Sequence, residues 1–263
     1  EGRARIPNQP EIYPAQETAR RMEKLIHDQL LDTNAVSVLR HSIFESVLLG
    51  TGIVKGPFNY AKTIHRWDTV DGEKMYAPYN KEVPRIEAVS CWDFFPDPDA
   101  TNIEDCNYTI ERHKLTRTQL RDLIKHPYFD EDAISECLEM GANYTKEYYE
   151  DIIQSYDAQA NYDVDRYEVL EYWGTLDTYL ASEIGLEINE LSALDEVQIN
   201  AWICNGKVLR AVLNPFTPER IPYQSVPYEI NPYQLFGIGV PENMEDAQLL
   251  MNGHVRMAID NLA

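Results

Sequence analysis

The stretch Cys91–Ala100, CWDFFPDPDA, sets three aromatic residues and three aspartates in ten positions. Glu104 and Asp105 continue the acidic run. Its reading separates a metal loop, a catalytic acid pair and a strand running into a turn. A calcium loop of the EF-hand type would begin Asp97, Asp99, Thr101, but it needs Gly at its sixth position and Glu at its twelfth. Asn102 and Tyr108 stand there instead. Carboxylates two residues apart say nothing about the separation that acid catalysis across a substrate requires. The structural reading accounts for every residue. Phe94 and Phe95 close a strand, Pro96 and Pro98 fix an extended exit, and the aspartates cap backbone amides in the turn.

Outward from this turn, residues 51–115 read as strands. GIVKGPF, TIHRW, VPRIEAV and NYTIERHKL carry β-branched and aromatic residues between the turn signals Asp71-Gly72 and Asp97-Pro98. Ahead of them, Met22, Leu25, Ile26, Leu30, Val36, Leu39, Ile43, Val47 and Leu48 recur at helical spacing from Pro14 to about Gly50, with Thr33-Asn34 as a break. Thr116 is a good N-cap for RTQLRDLIK, and helical patterns follow over 130–140 and 144–157. An acidic, tyrosine-rich stretch leads into the strand YEVLEYW. Asn205-Gly206 between INAWIC and KVLRAVL predicts a tight hairpin, since both residues tolerate positive φ. A proline-rich passage from Pro215 to Pro241 extends the chain, and a last helix runs from about Pro241 to the end. The fold class is α+β.

The 263 residues are 44% apolar and 11% aromatic, enough for a real core. Cys91, Cys106, Cys137 and Cys204 show no zinc or disulfide spacing, so free thiols in a reducing compartment are expected. No run approaches the ~20 apolar residues that cross a bilayer, and no signal segment opens the chain, which predicts a soluble protein made inside the cell. The first residue is Glu1, so the native chain is expected to extend further. Net charge is -21, and its placement is uneven. Residues 1–60 balance seven basic against seven acidic residues, leaving 16 against 37 for the remainder. Such a surface repels phosphate and argues against a protein that grips nucleic acid through clustered Lys and Arg.

Enzymatic motifs fail on spacing. Gly50-Thr51-Gly52-Ile53-Val54-Lys55-Gly56 follows a helix and precedes a strand, the reverse of a dinucleotide loop, and no P-loop sequence is present. His27, His41, His65, His113, His126 and His254 show no ligand spacing, and no nucleophile elbow occurs. No catalytic residue, cofactor or metal is expected. An acidic α+β hydrolase using Asp97, Asp99 or Glu104 remains an alternative.

Three stretches together resemble the portal protein of tailed bacteriophages, in particular the large portals of short-tailed phages. They are SVLLGTGIVKGPF at 46–58, VSCWDFFPDPDATNIEDCNYTIERHKLTRTQLRDL at 89–123, and PYQLFGIGVPENMEDAQLLMNGHVRMAIDNLA at 232–263. The first is a helix ending in a Gly-x-Gly turn before a strand. The second is an aromatic strand end, Asp-Pro-x-Ala, an acidic bend, an Arg-containing strand and a helix. The third is a Gly-x-Gly turn before a long helix. The resemblance implies a homo-oligomeric ring, usually of twelve subunits, at one capsid vertex; a non-portal head-tail adaptor is the alternative within the same class of virion protein. Double-stranded DNA is packaged and ejected through it without sequence-specific binding. Implied partners are terminase, capsid and tail adaptor proteins, with no membrane. Implied localisation is the virion, and the host cytoplasm during assembly. It also implies that residues 1–235 form a wing of mixed helices and strands and that 236–263 begin a long stem helix, the clip and the rest of the stem lying beyond this chain.

In that last helix Val240, Met244, Ala247, Met251, Val255, Ala258 and Leu262 recur at a mean spacing near 3.6 and form one apolar stripe. On the portal reading this stripe packs between subunits, with Glu242, Glu245, Asp246, Gln248, Asn252, Arg256 and Asp260 on the other faces.

Overall fold

The computed structural model describes residues 12–70, 73–150, 165–186 and 196–262. The fold is mixed α+β. Its helices are α1 (Ile12–Asp32), α2 (Ala35–Leu49), α3 (Arg117–Asp122), α4 (Glu131–Met140), α5 (Thr178–Glu183) and α6 (Val240–Leu262). Its strands are β1 (Thr51–Ile64), β2 (Trp67–Val70), β3 (Glu73–Tyr76), β4 (Tyr79–Val89), β5 (Phe94–Pro96), β6 (Tyr108–Leu115), β7 (Tyr167–Asp177), β8 (Glu196–Cys204), β9 (Lys207–Leu213) and β10 (Tyr223–Pro227). They fall into two compact units, one of residues 1–89, 222–229 and 238–263, the other of 90–221 and 230–237.

In the first unit the break between α1 and α2 is chemical. Asn34 adopts a left-handed φ of 54°, and the Thr33 hydroxyl donates back to the carbonyls of Gln29 and Leu30. Gly50 ends α2 with φ 94° and returns its N–H to Ser46. The chain then turns straight into β1, which lies so close to the helix that a Cβ on Gly52 would sit 2.0 Å from the Ser42 carbonyl oxygen. That approach explains which face of α2 is buried. Ala35, Ser42 and Ser46 face inward, and the Ser42 hydroxyl donates to the Ile53 carbonyl. The sheet runs β10-β1-β4, all antiparallel. β1 and β4 continue as a two-stranded ribbon from Phe58↔Arg85 to Ile64↔Tyr79, and β2 and β3 pair beyond it. Turn residues 71 and 72 lie outside the described residues.

β10 corrects the reading of Pro215 to Pro241 as a merely extended passage. Tyr223 is fully buried, and Tyr223 to Pro227 pair with Lys55 to Thr51. Prolines obscured the strand, but Pro227 sits at its end on the sheet's edge, where a missing N–H costs little.

The second unit is a five-stranded antiparallel meander in the order β5-β6-β7-β8-β9. One face carries Tyr167, Val169, Cys204 and Leu209 against Leu120 of α3 and Ile134 and Cys137 of α4. The other carries Val197, Ile199 and Ala201 against Ala181 of α5. Each fully buried aliphatic chain contributes roughly 1.5–3 kcal/mol, so this double-sided core, rather than helix propensity, holds the short helices. Asn205 and Gly206 close the β8–β9 hairpin with φ of 50° and 74°, as the sequence predicts. Thr116 caps α3 through a complete capping box with Gln119. The helix expected over 144–157 is non-helical at 144–147 and helical at 148–150; the rest lies outside the described residues.

Candidate functional site

The acidic turn is built as an anion clamp on its own backbone. One carboxylate oxygen of the buried Asp97 accepts from the Asp99 N–H at 3.1 Å, and the other from the Asn107 backbone and side-chain N–H groups at 3.2 and 2.9 Å. The Asp99 amide and the two from Asn107 hold the carboxyl below its ordinary range against the cost of burial. Asp99 and Glu104 are exposed. Asp97 therefore ties the exit of β5 to the start of β6, and its lone pairs are committed to the turn. Beside it an apolar hollow of about 410 Å³ is lined by Phe94, Phe95, Pro96, Leu235 and Phe236.

Two further polar clusters flank the same sheet. On one side Arg112 spans Asp93 at 2.8 Å and Glu147 at 2.9 Å, while Lys114 reaches Asp93 at 3.0 Å and Glu150 at 2.7 Å. Burial works to lower the pKa of both cations. Hydrogen bonds to Glu147 and Asp93 for Arg112, and to Glu150, Tyr149 and Asp93 for Lys114, outweigh it and hold both above their ordinary values. The cluster pins residues 144–150 to the sheet.

On the opposite face Glu111, His113 and Glu171 bring one ligand atom each within 4.8 Å of one another. Sequence spacing could not find this trio, because Glu171 joins it only through the register that pairs Glu111 with Glu171 across β6 and β7. Glu171 Oε1 accepts from the Trp173 indole at 2.7 Å and Asn200 at 3.3 Å, Oε2 meets His113 Nε2 at 2.8 Å, and the imidazole stacks on Trp202. Oε1 is thus engaged by two protein donors, and Oε2 lies beside the imidazole.

The four cysteines are free thiols. Burial raises Cys106 to about 11 and Cys204 to about 12, and also lifts Cys137, so these three remain protonated and poorly nucleophilic.

The surfaces that stand out are apolar and exposed among the described residues. All seven residues of the α6 stripe are present on that helix, which buries none of its residues within the described chain. Met244, Met251, Val255 and Leu262 are among its exposed large side chains, and so are Leu249, Leu250, Met257 and Ile259, which the sequence reading left out. At about 100° per residue Leu249 lies nearly opposite Ala258, while Leu250 and Met257 share a second line. The helix is therefore apolar on more than one side. On α2 the pattern is inverted relative to an ordinary surface helix. Its buried face is Ala35, Ser42 and Ser46, and the periodic Val36, Leu39, Ile43, Val47 and Leu48 face outward with Phe44. Met22, Leu25, Ile26, Leu30 and Leu31 extend the exposed apolar surface onto α1.

Comparison with protein families matches residues 69–263 to the family described as phage SU10 portal protein. Among curated proteins no match was found. No helix among the described residues is long and apolar enough to cross a membrane.

Proposed function

The chain belongs to the phage SU10 portal protein family, a family of structural virion proteins, and from that premise we propose that it builds the ring at one capsid vertex through which double-stranded DNA is packaged and later ejected. The family match over residues 69–263 carries this reading. The ring is a homo-oligomer of about twelve copies, with terminase, capsid and tail adaptor proteins as its partners, assembled in the host cytoplasm and resident in the virion. Residues 1–235 are assigned to the wing and 236–263 to the entry of the stem. In favour of the second assignment, α6 is 23 residues long and exposes apolar side chains on more than one side. A helix with one partner needs one apolar stripe; a stem helix in a ring has neighbours on two sides. The stripe of Val240, Met244, Ala247, Met251, Val255, Ala258 and Leu262 is the inter-subunit face of this proposal.

The test is the oligomeric state of the full-length protein by native mass measurement and electron microscopy. Met251→Asp places a charge at the centre of the stripe. Ring yield should fall by at least tenfold, with thermal unfolding of the subunit unchanged because Met251 is exposed. Normal rings from that variant would remove α6 from the interface. A wild-type protein that stays monomeric would overturn the portal assignment.

A further inference from the structure

A closed ring of identical chains imposes a geometric demand. Its contacts are heterologous, so each subunit must present two unlike surfaces that fit each other, one toward each neighbour. The first unit presents two such surfaces within residues 12–89.

One is the ribbon. From Phe58↔Arg85, β1 and β4 run paired for seven residues to Ile64↔Tyr79, with Val83 buried near the base, and β2 and β3 continue for four more pairs. At about 3.3 Å per residue the arm reaches roughly 35 Å. Side chains along it are exposed in both directions. Tyr60 is 53% exposed, Trp67 67%, Met75 59%, and Tyr76 and Tyr79 47% each. Where β2 and β3 begin, Tyr76 stacks on His65, with ring centroids 5.9 Å apart, and tilts against Trp67 at 5.5 Å. A two-stranded ribbon is only marginally stable alone in water, so its aromatic side chains call for a surface to lie on. The other surface lies on the successive helices α1 and α2. Its outward face of Met22, Leu25, Ile26, Leu39, Ile43 and Phe44 is apolar where an ordinary helix would be polar.

We infer that the β1–β4 arm of one subunit lies across the α1–α2 face of the next, as a strap that closes the ring between neighbouring copies. The inference rests on the ring proposed above and names a contact within it. Its size fits. Five large side chains of ~150–250 Å² each, about half exposed, offer on the order of 500 Å² from the arm, more than half of the roughly 800 Å² per partner of a stable protein interface. Its chemistry fits also, since an aromatic, edge-exposed ribbon gains most from a broad aliphatic face.

Two measurements on the full-length protein test it. In rings reassembled from equal amounts of light and ¹⁵N-labelled subunits, a lysine-reactive cross-linker should join Lys74 of the arm to Lys24 of α1 in mixed-isotope pairs. The double variant Trp67→Ala, Tyr76→Ala should lose ring yield by tenfold or more while the main unfolding transition of the subunit is unchanged, as neither residue belongs to the buried core. Wild-type rings in which Lys74 links only within its own chain, or to a capsid protein, overturn the strap while leaving the portal reading intact. So do normal rings from the double variant. A wild-type protein that forms no ring removes the reading beneath the inference, and the inference with it.

Discussion

Asp97 shows how one carboxylate can look catalytic in a sequence and be architectural in the fold. Three N–H groups converge on it, those of Asp99 and the backbone and side chain of Asn107, so the ionised form is the one the fold selects. The amide of Asp99 and those of Asn107 depress its folded pKa below the ordinary 3.8. A depressed carboxylate contributes stability that is fully present above the unfolded value and is lost as pH falls through the folded one. Asp97→Asn keeps the shape but removes the charge, and its amide nitrogen cannot accept from one of the turn's donors. The variant should melt below wild type at pH 7, with the gap narrowing as pH drops below about 4, a course that parallel melting curves between pH 2.5 and 7 would follow. A gap that stays constant across this range would mean that the carboxylate's charge contributes nothing to the turn.

At the scale of elements, the boundaries set by local chemistry are the ones that sequence reveals. Thr116 and Gln119 exchange hydrogen bonds as a capping box, and the six-residue α3 has little else of its own to hold its first turn. Thr116→Ala should cost about 0.5–2 kcal/mol in denaturant unfolding; a loss below that range would mean that Leu120, fully buried beneath the helix, fixes α3 without the cap. The break at Thr33-Asn34, the stop at Gly50 and the Asn205-Gly206 hairpin were legible for the same reason, since each needs only its own backbone. Features that depend on distant partners were not. β10 is a strand because β1 offers it an edge, and prolines on either side hid its alternation. Glu171 meets Glu111 and His113 only through sheet register. On α2 the periodic apolar residues are easily seen, but the sequence cannot say that Ala35, Ser42 and Ser46 are the buried ones. That choice follows from the close passage of β1 at Gly52.

For the whole molecule the decisive quantity is charge against the polymer that a portal must pass. In the proposed ring, the excess of 37 acidic over 16 basic residues after residue 60 would be repeated in every copy. Several of the scarce cations there are already engaged: Arg112 and Lys114 by Asp93, Glu147 and Glu150, Lys125 by Asp122, and Lys207 by Glu136. Duplex DNA binds proteins chiefly by releasing counterions to Lys and Arg, a gain that such a surface offers at few points. Assembled rings should therefore bind DNA weakly and without sequence preference, no tighter than the ~10⁻⁶ M end of non-specific binding at physiological salt, with a shallow dependence on salt. Titration of rings with two duplexes of unrelated sequence at several salt concentrations would measure both properties. On the proposed role weak binding would have a mechanical consequence, for a channel wall that held phosphate tightly would brake each step of packaging and ejection, whereas repulsion would let the duplex slide. Affinity near 10⁻⁸ M for one sequence over the other would mark a dedicated reader of DNA and would contradict the passage role.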